Sequence, residues 1–247
     1  MPAMSPHRPS AAVSVRTVAL RAGFLALSAS SHLLAQTTLR EHLDATRLRA
    51  GRDSFVVMMQ GKPAGWQRLT GSRDGSGWRV TDAITIGAMV TQESVVRIDA
   101  GQHEISLRQS GQMQSKPMQI SLDFANGRVR GTALTPTHPA GPLTFDTAVA
   151  DGTIDDNAVM PLMSAVRWRD SLSITFPVLA SGSGIVDPWS LRVLGADSTT
   201  VPAGHFDTWK VEMRASRSRI LFHVTRAAPY RVVRMINGPA FEMQLVP

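Results

Sequence analysis

Five histidines lie beyond residue 36: His42, His103, His138, His205 and His223. A metal centre would need two or three of them within a few ångströms, usually with a carboxylate. If residues 215–218 ("ASRS") form a hairpin turn, His223 falls opposite Lys210, about 15 Å along the strand from His205 at roughly 3.3 Å per residue. A zinc pair is therefore not expected, and solvated or capping histidines are. Ser76 in "DGSGW" and Ser183 in "SGSG" neither complete G-x-S-x-G nor lead into a helix, so neither has the setting of a nucleophile. No phosphate-cradling G-x-x-x-x-G-K occurs. Asp155 and Asp156 are adjacent where a helix begins, a place where carboxylates serve the free N–H groups of the first turn. An acid and base pair needs carboxylates converging from different elements, and no such pair stands out. The expectation is a non-enzyme with no catalytic residue, no metal and no cofactor.

Two residue types remain that could bind something. Arg214, Arg217, Arg219 and Arg226, with Arg231 and Arg234 behind them, crowd the C-terminal strands. They suit a surface that meets anionic headgroups or an acidic protein partner. They equally suit a solvated face whose charges discourage sheet-to-sheet aggregation. Nucleic acid is not expected as a partner, because stacking platforms need aromatics among the basic residues and the chain has a single tyrosine. Methionine is abundant, at twelve residues. Met118, Met163 and Met213, with Trp209 and Phe222, are the candidates to line a concavity for a lipid or other apolar small molecule, since methionine adapts to varied shapes. Core filler is the alternative use of the same side chains.

The elements that must position these residues are mostly strands. From residue 53 onward, short alternating segments are separated by turn chemistry every eight to twelve residues. In "MQISLDF", residues 118–124, Met118, Ile120, Leu122 and Phe124 share one face. Asn126-Gly127 then supplies two residues tolerant of positive φ, the strongest hairpin signal in the chain. The proline-rich stretch "TPTHPAGP", residues 135–142, reads as a loop that divides the chain into two sheet segments of one β-rich domain, residues 53–247. One helical spacing occurs, with Val159, Leu162, Met163 and Val166 at i, i+3, i+4 and i+7, capped by Asp156 or Asn157 and kept short by Pro161. The fold class is mainly β: an antiparallel curved sheet or open barrel with one short helix packed on it. Ahead of it, residues 37–52 are expected to be a helix or linker, with Thr38 and Glu41 spaced as a capping box.

The first 36 residues hold Arg8, Arg16 and Arg21, no acidic residue, and the apolar stretch 22–35 ("AGFLALSASSHLLA"). That is the layout of a signal peptide, with cleavage between 28 and 36, and it implies a periplasmic or secreted protein. The chain has no cysteine, which leaves no disulfide and no acylated cysteine of the lipoprotein kind. Setting aside the three arginines of that segment, 23 basic and 19 acidic residues give a net charge of +4, too modest for a polycation.

"VPAGHFDTWKVEM", residues 201–213, opens with Pro and Gly in a turn and passes into a strand on which Trp209, Val211 and Met213 share a face. Followed by "FHVTRAAPYRVVRM" and a final "FEMQLV", it resembles the exported bacterial proteins of the domain of unknown function 3108 type, chiefly over residues 197–246. The resemblance implies an antiparallel β-rich domain of the cell envelope and carries no catalytic residues. Two functions are compatible with these features. One is a binding module holding an apolar or lipid-like ligand in the methionine-lined concavity. The other is a structural or assembly protein that docks on an anionic membrane surface or a protein partner through its arginines. They part on whether Leu162 and Met163 plug the sheet.

Overall fold

The computed structural model describes residues 39–136, 138, 141–215 and 218–247. The expected signal segment and Arg217 lie outside the described residues, as does Thr38 of the expected capping box.

Eight strands run in sequence order as antiparallel neighbours: β1 (Gly51–Met59), β2 (Lys62–Asp74), β3 (Gly77–Ile86), β4 (Val90–Ile98), β5 (Glu104–Met113), β6 (Lys116–Ala125), β7 (Arg128–Leu134) and β8 (Leu143–Ala148). The chain then crosses to a two-residue strand, β9 (Ile154–Asp155), and the short helix α1 (Val159–Met163). It returns through β10 (Ser173–Ala180), β11 (Ile185–Val201), β12 (Gly204–Ala215), β13 (Ser218–Thr225), β14 (Val232–Asn237) and β15 (Phe241–Val246). Strand β15 pairs with β1, which joins both runs into one fifteen-stranded sheet with β8 and β9 at its two edges. Every pairing is antiparallel except β9 with β10. The loop 135–142 connects β7 and β8, which pair with each other.

That order forces the curvature. Edges β8 and β9 are separated by only residues 149–153, a length of chain that spans at most about 20 Å when fully extended. A flat sheet of this width could not be bridged so, and the sheet must curl until its edges meet. It curls past closure: the backbone N–H of Asp155 on β9 donates to Glu104 on β5, at 2.7 Å, three strands in from the β8 edge. The β10–β11 turn in turn reaches β8, where Gly184 lies against the Phe145 ring so closely that a Cβ would stand 2.2 Å from it. The overlapping ends are thus held by side chains instead of a backbone ladder.

Local sequence explains most elements. Asn126 and Gly127 take φ values of 52° and 67° and turn β6 into β7. The inward side chains of β6, Met118, Ile120 and Leu122, are all buried. Helix α1 forms where the apolar spacing lies, and Val159, Leu162, Met163 and Val166 are all buried. Its cap differs from expectation: Ala158 stands at the N-cap without a side-chain bond. Asp156 is drawn away by Ser181, whose hydroxyl donates to it at 2.6 Å. In the expected helix or linker of residues 37–52, the described residues form two 3-10 turns, Leu39–His42 and Ala45–Arg47. Leu39, Leu43 and Leu48 are buried there, and spacings of four and five do not make a single helical stripe.

The turn at residues 201–204 folds back onto β15. Strand β11 is seventeen residues long and breaks register between Val193 and Gly195, which lets the β11–β12 hairpin bend over β13, β14 and β15. At its tip, the Ala203 N–H donates to the Leu245 carbonyl at 3.1 Å. Val201 packs with Phe55, Val57, Val233, Met243 and Leu245 in a second apolar cluster beside the main core.

Candidate functional site

The inner face is where an apolar ligand would sit, and the protein's own side chains fill it. Leu162 and Met163 are 2% and 1% exposed and belong to one core with Phe176, Val211, Met213 and Phe222. Met118, Met213 and Phe222 are buried, and Trp209 packs on the same core while Arg226 stacks 4.7 Å over its ring. None of the five candidate ligand-binding residues lines the recess beside Glu104 or the one beside Tyr230. The core face of the sheet is plugged by α1 and by the leucines ahead of β1.

The outer wall of β11–β13 is different. Glu212, on β12, is itself buried and receives Arg214 (2.8 Å) from its own strand, Arg219 from β13 and Arg192 (3.5 Å) from β11. The strand pleat puts 212 and 214 on one face, and the registers Arg192↔Glu212 and Arg214↔Arg219 bring the others beside them. The Arg214 and Arg219 guanidinium groups hold the Glu212 carboxyl below the usual range against the opposing effect of burial. One carboxylate cannot neutralise three guanidinium groups, and the three arginine side chains remain 58%, 62% and 63% exposed. Of the residues singled out from sequence, Arg214 and Arg219 come together here and Arg226 lies on Trp209. Arg192 was invisible to sequence inspection, because only the β11–β12 register carries it to Glu212.

A recess of about 320 Å³ opens at one end of the barrel, between the turns 99–103 and 125–128, the loop 149–153 and the first 3-10 turn. In it Asp99 accepts from the His103 backbone N–H (2.8 Å) and faces Nδ1 (3.1 Å), so Nε2 is left as the acceptor. Arg40 lies against that Nε2 and also pairs with Asp151 at 3.4 Å. His103 is oriented as a base would be, but its acceptor position is already occupied by a protein donor.

Glu104 also lines the recess and reaches inward from it. It and Asp155 are 4% and 0% exposed and lie within side-chain hydrogen-bonding reach, yet Glu104 Oε1 and Asp155 Oδ2 have no donor. Burial, then the charge of Asp155, pushes the Glu104 carboxyl well up. Burial and Asp155 likewise push Asp156 up to about 6. On the inward row of β3, burial raises Asp82 to about 6 although the Gln67 amide donates to both of its oxygens. A pair converging from two elements is what the sequence did not reveal, since Glu104 and Asp155 are 51 positions apart. The five histidines are placed separately: His205 bonds Thr200, and His223 is buried beside Thr208 and Asp197. Among the described residues no group of three histidine, aspartate or glutamate side chains is arranged to hold a metal ion.

The same architecture is known in a solved structure. A crystal structure of a beta-barrel-like protein of domain of unknown function DUF1849 from Brucella abortus is similar over 79% of this chain and 95% of its own, with a TM-score of 0.51 and 10% identity. At that identity the likeness speaks for the fold alone. No curated protein is significantly similar in sequence. The profile of the protein family of unknown function DUF3108 matches residues 54–246, most of the chain, and the chain therefore belongs to the DUF3108 family.

Proposed function

We propose that this DUF3108 protein is an exported, non-catalytic envelope protein that docks on an acidic protein partner through Arg192, Arg214 and Arg219. The observation that carries this reading is the surplus charge around Glu212: three exposed guanidinium groups on one carboxylate. The filled interior supports a role for the outer wall over carriage of an apolar ligand. The basic, then apolar, start of the chain supports export.

Magnitudes favour a protein over a membrane. Each surplus cation near an anionic lipid surface contributes about 1 kcal/mol, so two contribute about 2 kcal/mol, too little for lasting attachment. A guanidinium fork matched to a carboxylate in a desolvated interface is worth roughly 1.5–3 kcal/mol each. Glu212 pre-orients those forks.

The test uses the mature chain and a twenty-residue poly-glutamate probe at low salt. Exchanging Arg192, Arg214 and Arg219 for alanine together should weaken binding at least tenfold, whereas the exchange of Arg97 and Arg130 on the other run of strands should change it less than twofold. Equal losses from both sets would remove the assignment. Binding to phosphatidylglycerol vesicles without binding to poly-glutamate would replace the protein partner by a membrane.

A further inference from the structure

The seam of the curled sheet carries a chemical feature that the outer-wall reading leaves unused. Strand β9 is two residues long and pairs with β10 over only Val178↔Ile154 and Leu179↔Asp155. Its attachment to the opposite run of strands is made by side chains: Glu104 accepting from the Asp155 N–H, and Asn157 donating to Gln109 at 3.3 Å. The β9 segment depends on that attachment for its place against the opposite run of strands.

Two carboxylates at such a junction repel each other, and a buried pair with no cation is held together only if it keeps a proton. The two oxygens without a donor, Glu104 Oε1 and Asp155 Oδ2, lie one on each member of the pair. A proton on one oxygen gives the other its donor, and both are satisfied. Among the described residues no cation is paired with either carboxylate. The titratable and charged groups around them are Asp156 on the same segment, and Asp99, Asp151, Arg40 and His103 in the recess in front, where Arg40 is committed to Asp151 and His103. The remaining neighbours, Gln109, Asn157 and Ser181, are neutral and bonded among themselves.

We propose that Glu104 keeps a proton facing the Asp155 carboxylate, and that this proton is the catch that keeps the overlapping ends of the sheet closed. Its loss leaves two buried negative charges facing each other and frees the β9 segment from β5, so the barrel end loosens as pH rises. The sign follows from linkage: a carboxyl that keeps its proton longer in the folded state than in the unfolded one contributes stability that is lost as pH rises through its folded value. Burial and the Asp155 charge, which both favour protonated Glu104, act in that direction. Asp82 and Asp156 are also pushed up, to about 6, and lose stability in the same direction, so the contribution of Glu104 is isolated by comparison with a variant that cannot ionise there.

Hydrogen exchange of the backbone over residues 153–163, compared between wild type and Glu104→Gln at each pH, cancels the intrinsic pH dependence of exchange. The glutamine keeps the acceptor for the Asp155 N–H and supplies a permanent N–H in place of the proton. The two proteins should exchange within twofold of each other at pH 6, and wild type should exchange at least tenfold faster at pH 9. A ratio that does not change with pH overturns the catch. Should Glu104→Gln fail to fold, Asp155→Asn allows the same comparison. Carboxyl carbon-13 NMR of the wild type reads the proton itself: Glu104 still protonated at pH 6, where an exposed carboxyl is ionised, agrees with the proposal, and Glu104 ionised there refutes it.

Discussion

Replacing Leu162 by alanine should lower the unfolding free energy by about 3 kcal/mol, within the roughly 2–5 kcal/mol range for a buried leucine. Leu162 is 2% exposed, on the buried stripe of α1 that enters the main core. Removing its isopropyl group leaves a hole that neighbours on rigid strands cannot collapse into, so the cavity cost adds to the lost burial. Denaturant unfolding followed by circular dichroism would read the loss as a lower midpoint at unchanged slope. The Leu162→Ala, Met163→Ala double variant should lose more, and the space it opens should accept a small apolar probe such as benzene that wild type excludes. A loss below about 1 kcal/mol would mean that α1 does not plug the sheet.

The second large effect is at a backbone crossing. Gly131 on β7 has φ near +148°, and a Cβ there would stand 1.8 Å from the Ser121 carbonyl oxygen of β6. That atom belongs to a paired strand, so it has no rotamer to yield, and relief must come from separating β6 and β7. Gly131→Ala should therefore cost about 3 kcal/mol or more, combining a strained φ with overpacking. Gly61→Ala is the control, because Gly61 also has positive φ, +76°, but meets nothing within 4 Å. It should cost only about 1–2 kcal/mol, the penalty for the left-handed conformation alone. Thermal melts of the two variants separate strain from collision, and equal shifts would show that β6 and β7 are not so closely crossed.

What the sequence disclosed was local. The hairpin at Asn126-Gly127, the inward face Met118, Ile120 and Leu122, and the buried stripe of α1 all follow from spacings within ten residues, and each is present. The face shared by Val211 and Met213 is likewise buried. The departures come from contacts between distant segments. Asp156 is adjacent to the helix it was expected to cap, but Ser181 of the β10–β11 turn competes for it. Residues 39–47 form 3-10 turns because burial of Leu39 and Leu43 against the 165–167 segment, including the Leu43↔Val166 bridge, dictates their path. Neither Arg192 beside Glu212 nor Glu104 beside Asp155 has any short-range signature. Both depend on strand register and on the curl of the whole sheet, which alternation alone does not encode.

The arginine wall and the carboxyl pair lie on opposite surfaces of the sheet. On the outside, excess positive charge stays hydrated and costs little until a partner desolvates it. On the inside, two facing carboxylates without a cation are costly when both are ionised. A barrel with a solid interior can afford such an inner polar seam because α1 and the hairpin tip at Val201 supply the apolar burial around it.

An interior filled by its own side chains leaves no place for an apolar ligand. Native mass spectrometry of residues 37–247, purified without strong detergent and followed by organic extraction and lipid analysis, should therefore return the bare polypeptide mass, unchanged after incubation with lipid vesicles. A stoichiometric phospholipid or other apolar molecule that co-purifies with the chain would contradict it and would place a ligand where Leu162 and Met163 now pack.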